Sequence, residues 1–193
     1  IIDGATVIRI PALRKYKDYS SMVELITFGI SAFFFCSGYM MRHRVDFMFA
    51  FFAVPAGFAA WLLSGIFHVP YGVYFGGSDI PNANPSRFRR IYPIITPLLT
   101  AIWKRASFRS VCSHELAALA KKADGDSEFF VIPNGVETNR FTPIERSKSP
   151  KVKVLFIGRL IPRKGFDRVV QALPEVRKRA QVPFEVEVVG TGA

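Results

Sequence analysis

Apolar residues occur along this chain either as short continuous runs or at the three-to-four-residue spacing of a helix. Runs such as VLFIG end at glycine, which is typical of strands buried on both faces of a parallel sheet. Stretches of helical spacing follow them, including GFAAWLLSGIF, SHELAALAKK and KGFDRVVQALPEVRKRA. Strands that alternate with helices predict an α/β fold with a parallel sheet.

The first 45 residues predict a strand and a helix. ATVIRIP, residues 5–11, alternates apolar and polar positions as a strand does. Ser21 stands three residues before Glu24, which is the spacing of a capping box at a helix start. The apolar run from Leu25 to Met41 then supplies the helix.

Residues 46–67 carry one charge, at the first position, so hydropathy alone predicts a transmembrane helix. Pro55 and Gly57 interrupt this run in the middle, and its aromatic first half is short, as a buried strand would be. A strand, a turn and a helix are therefore the preferred prediction, and one membrane span is the alternative. Further along, Pro93 and Pro97 are expected to bend or break a helix.

The composition changes at VETNRFTPIERSKSPK, residues 136–151, which is polar and holds two prolines. The predicted organisation is one domain over residues 1–143, a linker over 144–150 and the start of a second domain over 151–193. The chain begins without a methionine and ends at VVGTGA, where a turn should lead into a new element. We therefore expect a fragment in which both domains are incomplete.

Composition narrows the classes of partner. The chain has 193 residues, half of them hydrophobic, and a net charge of +11. Such a charge predicts an anionic partner such as phosphate, nucleic acid or lipid headgroups, although a solvated basic surface stays open. Nucleic acid is not expected, because the basic residues are not interleaved with exposed aromatics and no known binding motif occurs. Two cysteines and three scattered histidines offer neither a disulfide framework nor the ligand spacing of a metal site.

The residues best suited to bind a ligand lie in VLFIGRLIPRKGFDRVV, residues 154–170, where a predicted buried strand is followed by a helix. Gly158 ends the strand, and Arg159 and Lys164 follow on the loop. The first N–H groups of the helix point outward and favour an anion. A guanidinium fork and a lysine charge there could hold a diphosphate, although no Walker pattern is present. The alternative is a basic, solvated loop.

Three blocks, VIPNGVETNRFTP, VLFIGRLIPRKGFDRVVQALP and VEVVGTGA, match in order and spacing the middle of a group 1, family 4 glycosyltransferase of the GT-B fold. The upstream segments AVPAGFAAWLL and GGSDIPNANPSRFRRIYPIITPLLTAIWKRA also resemble that family's acceptor-side domain. The resemblance implies two Rossmann-like domains with the active site in the cleft between them. It also implies a retaining, hexosyltransferase-type reaction that moves a sugar from a nucleotide-sugar donor to a glycan or lipid-linked acceptor, as in polysaccharide biosynthesis.

By this resemblance Arg159 and Lys164 hold the donor diphosphate, and Gly158 lets the backbone approach it. Gly190 and Gly192 resemble the loop near the donor nucleoside, and a simple turn is an equal alternative. No cofactor and no metal are expected, because the nucleotide sugar is a co-substrate. Glutamates and a glycine-rich stretch of the family pattern would lie beyond residue 193, so the fragment is expected to be inactive.

The chain departs from the pattern where many relatives carry a histidine, after the strand that here ends YFGGSD. Gly76 and Gly77 stand there, so a histidine role cannot be transferred. Asp79 is a weak catalytic candidate for contact with acceptor or sugar, and capping of the following turn is the preferred alternative. The Asp-Gly-Asp at 124–126 spells a metal-binding pattern of another glycosyltransferase fold, but its polar surroundings predict a turn.

The basic first half surrounds apolar helices and could dock on anionic lipid. This gives a second hypothesis, a membrane-associated basic α/β protein that binds anionic lipid or nucleic acid without catalysis. Both hypotheses allow the same location. The enzyme is expected in the cytoplasm or bound peripherally to the inner face of the cytoplasmic membrane.

Overall fold

The computed structural model describes residues 4–15, 20–77, 79–83, 92–143 and 151–192. The chain divides into two compact units, Ile1–Val136 and Glu137–Ala193. The division falls at the start of the polar stretch 136–151, and the predicted linker over 144–150 lies outside the described residues.

The first unit is a four-stranded parallel sheet with order β1-β2-β3-β4 and helices between its strands. Its elements in chain order are α1 (Met22–Met40), β1 (Met48–Phe51), α2 (Phe58–Phe67), β2 (Tyr71–Phe75), α3 (Tyr92–Arg105), β3 (Phe108–Val111), α4 (His114–Ala123) and β4 (Phe130–Val131). In register, Met48 faces Tyr71, Gly72 faces Phe108 and Ser110 faces Phe130. All four carboxyl ends therefore lie at one edge.

The second unit is smaller. It contains β5 (Val152–Ile157), a short 3₁₀ turn (Pro162–Lys164), α5 (Phe166–Arg179) and β6 (Phe184–Val189). The two strands are parallel, with Val152 facing Phe184. Parallel strands joined through helices in both units confirm the predicted α/β fold class.

The core of the first unit is aromatic. Trp103 of α3, Phe75 of β2 and Phe129 pack edge to face, with ring centroids 5.4–5.7 Å apart. Tyr71 is fully buried, and its hydroxyl donates to the carbonyl of Ile102 at 2.6 Å. The sheet is thereby held to α3, as expected for strands that read as continuous apolar runs.

Two local predictions for the first helix and the run after it are confirmed. The Ser21 N–H donates to Glu24 Oε2 at 2.6 Å and the Glu24 N–H donates to Ser21 Oγ at 3.3 Å, so the capping box forms. Residues 46–67 form β1, a turn over Ala53–Gly57 and α2, so the single span through Pro55 is wrong.

Two other local predictions differ in outcome: the strand over residues 5–11 is wrong, and of the bend or break expected at the prolines only the break is excluded. Residues 5–11 form no strand: Ile8, Arg9 and Ile10 instead line an apolar groove beside α1. The prolines do not break α3. Pro93 lies in the first turn, where no backbone donor is needed, and Pro97 lies inside a helix that continues to Arg105.

Candidate functional site

The loops after β5 and β6 continue side by side beyond the strands. The Gly158 N–H donates to the Val189 carbonyl at 3.0 Å, and the Leu160 N–H donates to the Thr191 carbonyl at 2.8 Å. A bridge then pairs Leu160 with Gly192. The carboxyl edge of this sheet, where α/β proteins bind ligands, is therefore a paired, well-defined backbone surface.

Close backbone contact accounts for the glycines of this edge. A Cβ atom built on Gly190 would lie 1.9 Å from the carbonyl oxygen of Gly158. One built on Gly192 would lie 3.2 Å from the carbonyl oxygen of Leu160. Packing alone therefore requires glycine at position 190, and a contact of Gly190 or Gly192 with a nucleoside stays a prediction.

Arg159 and Lys164 are both exposed on the loop between β5 and α5. Neither side chain makes a hydrogen bond or ion pair with any described residue of the chain. Lys153, on the preceding strand β5, differs from these two residues. It pairs with Glu187 at 2.7 Å and with Glu185 at 3.3 Å, and these contacts raise the pKa of Lys153. The cations of the loop remain available to an external anion.

The start of α5 adds donors to those cations. Gly165 has φ 73°, a left-handed conformation that favours glycine, and it ends the 3₁₀ turn and begins the helix. It caps the helix with no side chain, so the first N–H groups stay open to a ligand. Asp167 in the first turn places one negative charge at the same helix end.

In the first unit Asp79 follows β2 at the carboxyl edge and is buried. Its Oδ2 accepts from the Ala53 N–H and its Oδ1 accepts from the Gly77 N–H, both at 3.0 Å. Burial raises the pKa of the Asp79 carboxyl, and these backbone hydrogen bonds oppose that shift. Both oxygens are engaged in joining two loops, which favours the structural role over the catalytic one.

The absence of a histidine directly after β2, where Gly76 and Gly77 stand, has a steric counterpart. A Cβ atom built on Gly76 would lie 2.3 Å from the ring of Phe52, and Gly77 has φ 118°, which favours glycine. The aromatic ring of Phe52 therefore occupies the space into which a side chain at position 76 would extend.

Three polar residues at this edge were not singled out from the sequence as site residues. The Tyr74 hydroxyl donates to Asn134 Oδ1 at 2.7 Å, which links the end of β2 to the segment after β4. Partial burial and the neighbouring Cys112 raise the pKa of the Tyr74 phenol, and Asp79 adds to the shift. The three residues are Tyr74, Cys112 and Asn134. Each stands within three positions of the carboxyl end of a strand, and that position is the feature of the sequence that could have identified them.

The Asp-Gly-Asp at 124–126, which spells a metal-binding pattern, lies in a turn, as predicted. Asp124 is buried, accepts from the Ser127 hydroxyl at 2.6 Å and lies 3.6 Å from Lys104 Nζ. Within the described ranges, no three side chains of the metal-binding types come together.

Comparison with known proteins gives one informative similarity. No protein-family model matches the chain. The chain is 29% identical over 154 residues to a Bacillus subtilis (strain 168) protein that carries the provisional name teichuronic acid biosynthesis glycosyltransferase TuaC. The match covers 72% of this chain and 37% of TuaC, so the chain spans little more than a third of that relative. The similarity supports a glycosyltransferase role in general terms.

Proposed function

We propose that this chain is part of a retaining GT-B glycosyltransferase of family 4, in which the second unit binds the diphosphate of a nucleotide-sugar donor. The observation that carries the proposal is the pair of unpartnered cations, Arg159 and Lys164, beside the open amino end of α5. The similarity to a named glycosyltransferase supports the reaction class.

The proposed chemistry explains why fixed cations are needed. The bond between the sugar's anomeric carbon and the phosphate oxygen breaks, and its electron pair stays on the departing nucleoside diphosphate. A hydroxyl oxygen of a glycan or lipid-linked acceptor forms the new bond to the anomeric carbon, and its proton passes to the departing phosphate oxygen. Arg159 and Lys164 would stabilise the negative charge that develops on the leaving group, which is the largest electrostatic requirement of such a step.

The acceptor would meet the carboxyl edge of the first unit. Tyr74 and Asn134 present polar atoms there, while Asp79 holds the two loops in position. We propose glycan synthesis as the setting and the inner face of the cytoplasmic membrane as the place, with the protein bound peripherally.

Calorimetric titration of the chain with UDP and GDP tests the diphosphate site. We expect Arg159→Ala and Lys164→Ala each to weaken binding by about 1.5–3 kcal/mol, the value of a hydrogen bond to a charged group. Lys153→Ala is the matched control, because its charge is already neutralised by two glutamates. Uridine, which lacks the diphosphate, should bind equally to all variants.

Two results would count against the proposal. Unchanged affinity in both loop variants would leave the loop as an ordinary basic surface. A folded chain that binds neither nucleotide would count against a diphosphate site formed by the described residues of the second unit alone.

The second candidate function is a basic membrane-associated protein without catalysis. The exposed apolar surface of α1 favours it, since Val23, Ile30 and Phe34 are more than half exposed. For the nucleic-acid form of this hypothesis, we expect no retention of DNA by the chain at physiological salt. Salt-dependent retention would support that form instead.

A further inference from the structure

Phe52 holds a backbone conformation that a phenylalanine normally avoids. It directly follows β1 at the carboxyl edge of the sheet in the first unit, with φ 74° and ψ 139°. Positive φ is unfavourable for any residue with a Cβ atom, and residues held there cluster at ligand-binding sites. A phenylalanine at this position therefore needs a reason in packing or in function.

Hydrogen bonds fix the backbone on both sides of Phe52. Its N–H donates to the Tyr74 carbonyl at 2.8 Å, and its carbonyl accepts from the Gly57 N–H at 2.9 Å. The N–H of the next residue, Ala53, donates to Asp79 Oδ2 at 3.0 Å. Since these peptide groups are held, the fold sets the direction in which the Phe52 side chain points.

Packing does not explain the aromatic ring of Phe52. The residue is 47% exposed, and within the described part of the chain no other aromatic ring stacks on it. The ring lies against the backbone of Gly76, where a Cβ atom would be 2.3 Å from it. A half-exposed ring gains little from burial, so contact with a ligand is the better reason for a phenylalanine in a strained position.

Neutral hydrogen-bonding groups lie on the same side of this edge. Tyr74 and Gly76 are two residues apart along β2 and its continuation, so they share a face of the sheet. The Tyr74 hydroxyl donates to Oδ1 of Asn134, which is exposed. The amide nitrogen of Asn134 makes no hydrogen bond with any described residue. The face with the Phe52 ring therefore also offers free amide donors.

The charges at this edge argue against a phosphate as the group that Phe52 contacts. Although the chain has a net charge of +11, the segments that reach the edge contain no lysine or arginine, and these segments are 51–54, 74–79, 110–114 and 131–135. The carboxylate of Asp79 is occupied by backbone N–H groups. This surface suits a neutral ligand that has both hydroxyl groups and an apolar face.

A pyranose ring has this chemistry. Its axial C–H groups can pack against the negative face of an aromatic ring, while its hydroxyls extend outward to hydrogen-bonding partners. Ligand sites combine aromatic surface with a few polar groups that fix orientation in this way. A nucleoside base can also stack on an aromatic ring, but under the proposed function the base belongs to the second unit.

We propose that Phe52 determines acceptor specificity by stacking on a pyranose ring of the acceptor, with the Asn134 amide as donor to one of its hydroxyls. This inference rests on the proposed function, which makes the carboxyl edge of the first unit the acceptor side. It narrows the acceptor class to molecules that present a sugar unit. A phosphorylated lipid without a sugar falls outside that class.

Saturation-transfer NMR of the chain with the methyl β-glycosides of glucose, galactose and N-acetylglucosamine tests the stacking. We expect transfer to the C–H protons on one face of at least one of these sugars. Phe52→Leu keeps an apolar side chain but loses the aromatic face, so the dissociation constant should rise about fivefold or more. Phe52→Tyr should bind as the unaltered chain does. Phe47→Leu is the matched control, since Phe47 is 45% exposed just before the same strand, at its amino end.

The polar contact and the proposed function have their own readouts. Asn134→Asp keeps the oxygen that accepts from Tyr74 but loses the amide donor, so it should also weaken glycoside binding. Circular dichroism checks that each variant folds. UDP should bind Phe52→Leu as it binds the unaltered chain, because Arg159 belongs to the other unit. Glycoside contact at Phe52 without any affinity for UDP would support the sugar site and count against the diphosphate site.

Three outcomes would overturn the inference. The folded chain could transfer no saturation to any of the three glycosides, or Phe52→Leu could bind them as well as Phe47→Leu does. Uridine could instead lose affinity in Phe52→Leu while the glycosides bind unchanged, which would assign the ring to a nucleoside base.

Discussion

Gly190 shows how strictly a single position can be constrained in this protein. Its Cα faces the Gly158 carbonyl so closely that one methyl group would lie 1.9 Å from the oxygen. The neighbour is backbone within a paired loop and cannot rotate away as a side chain would. A substitution must therefore separate the two loops that form the proposed donor edge.

We predict that Gly190→Ala destabilises the second unit by about 1–3 kcal/mol, as overpacking does. The measurement is amide hydrogen exchange in β5, because both tryptophans of the chain lie in the first unit. Gly125→Ala is the control, since nothing lies within 4 Å of a Cβ atom there. Equal protection of β5 in both variants would disprove the close contact.

The carboxyl of Asp79 predicts a dependence of stability on pH. Burial raises its pKa above the ordinary value of 3.8, so the folded protein binds this proton more tightly than the unfolded chain. A raised pKa adds stability that is complete below the unfolded value and is lost as pH rises through the folded value.

Urea unfolding of the unaltered chain and of Asp79→Asn, repeated from pH 3 upward, isolates this effect, because asparagine does not titrate. We expect the difference in unfolding free energy, unaltered minus variant, to fall as pH rises above about 4. A difference that grows with pH would mean that the two backbone N–H donors outweigh burial.

At the scale of elements, the amino end of α1 is set by side-chain hydrogen bonds, since the helix packs over only part of its surface. The Ser21 hydroxyl accepts the Glu24 N–H, and the Glu24 carboxylate accepts the Ser21 N–H in return. These two bonds satisfy backbone donors that would otherwise be unpaired at the helix start.

We predict that Ser21→Ala lowers the free energy of unfolding by about 1 kcal/mol, whereas Ser21→Asp, which keeps a capping oxygen, changes it by a few tenths. Urea unfolding followed by the fluorescence of Trp61 on the adjoining α2 measures both. An equal loss in the two variants would show that the hydroxyl acts through something other than the cap.

At the scale of the whole molecule, the chain forms two units with separate sheets. The boundary between them falls at Val136 and Glu137, and the polar, proline-containing stretch 136–151 begins there. Polar connections between folded units are preferred sites of proteolytic cleavage.

Limited digestion with trypsin should therefore cut first after Arg140, Arg146, Lys148 or Lys151, and mass spectrometry of the early fragments identifies the site. Early cleavage within α3 or α4, which also contain lysine, would contradict a connection between two separately folded units.

The sequence was sufficient for those features that depend on neighbours along the chain. Apolar runs ending at glycine located β5, the spacing of Ser21 and Glu24 located the start of α1, and Pro55 divided residues 46–67 into a strand and a helix. It also singled out Gly158, Arg159 and Lys164, because strand-loop-helix order puts them at one sheet edge.

Only the tertiary structure decided what depends on contacts between distant segments. Alternation over residues 5–11 could not reveal that Ile8 and Ile10 lie along a groove and not in a strand, and the motif could not reveal that Gly190 meets Gly158 across the loops. Nor could hydropathy show which side of α1 faces its unit. These are distances between segments far apart in sequence, which side-chain packing and backbone pairing set only once the chain has folded.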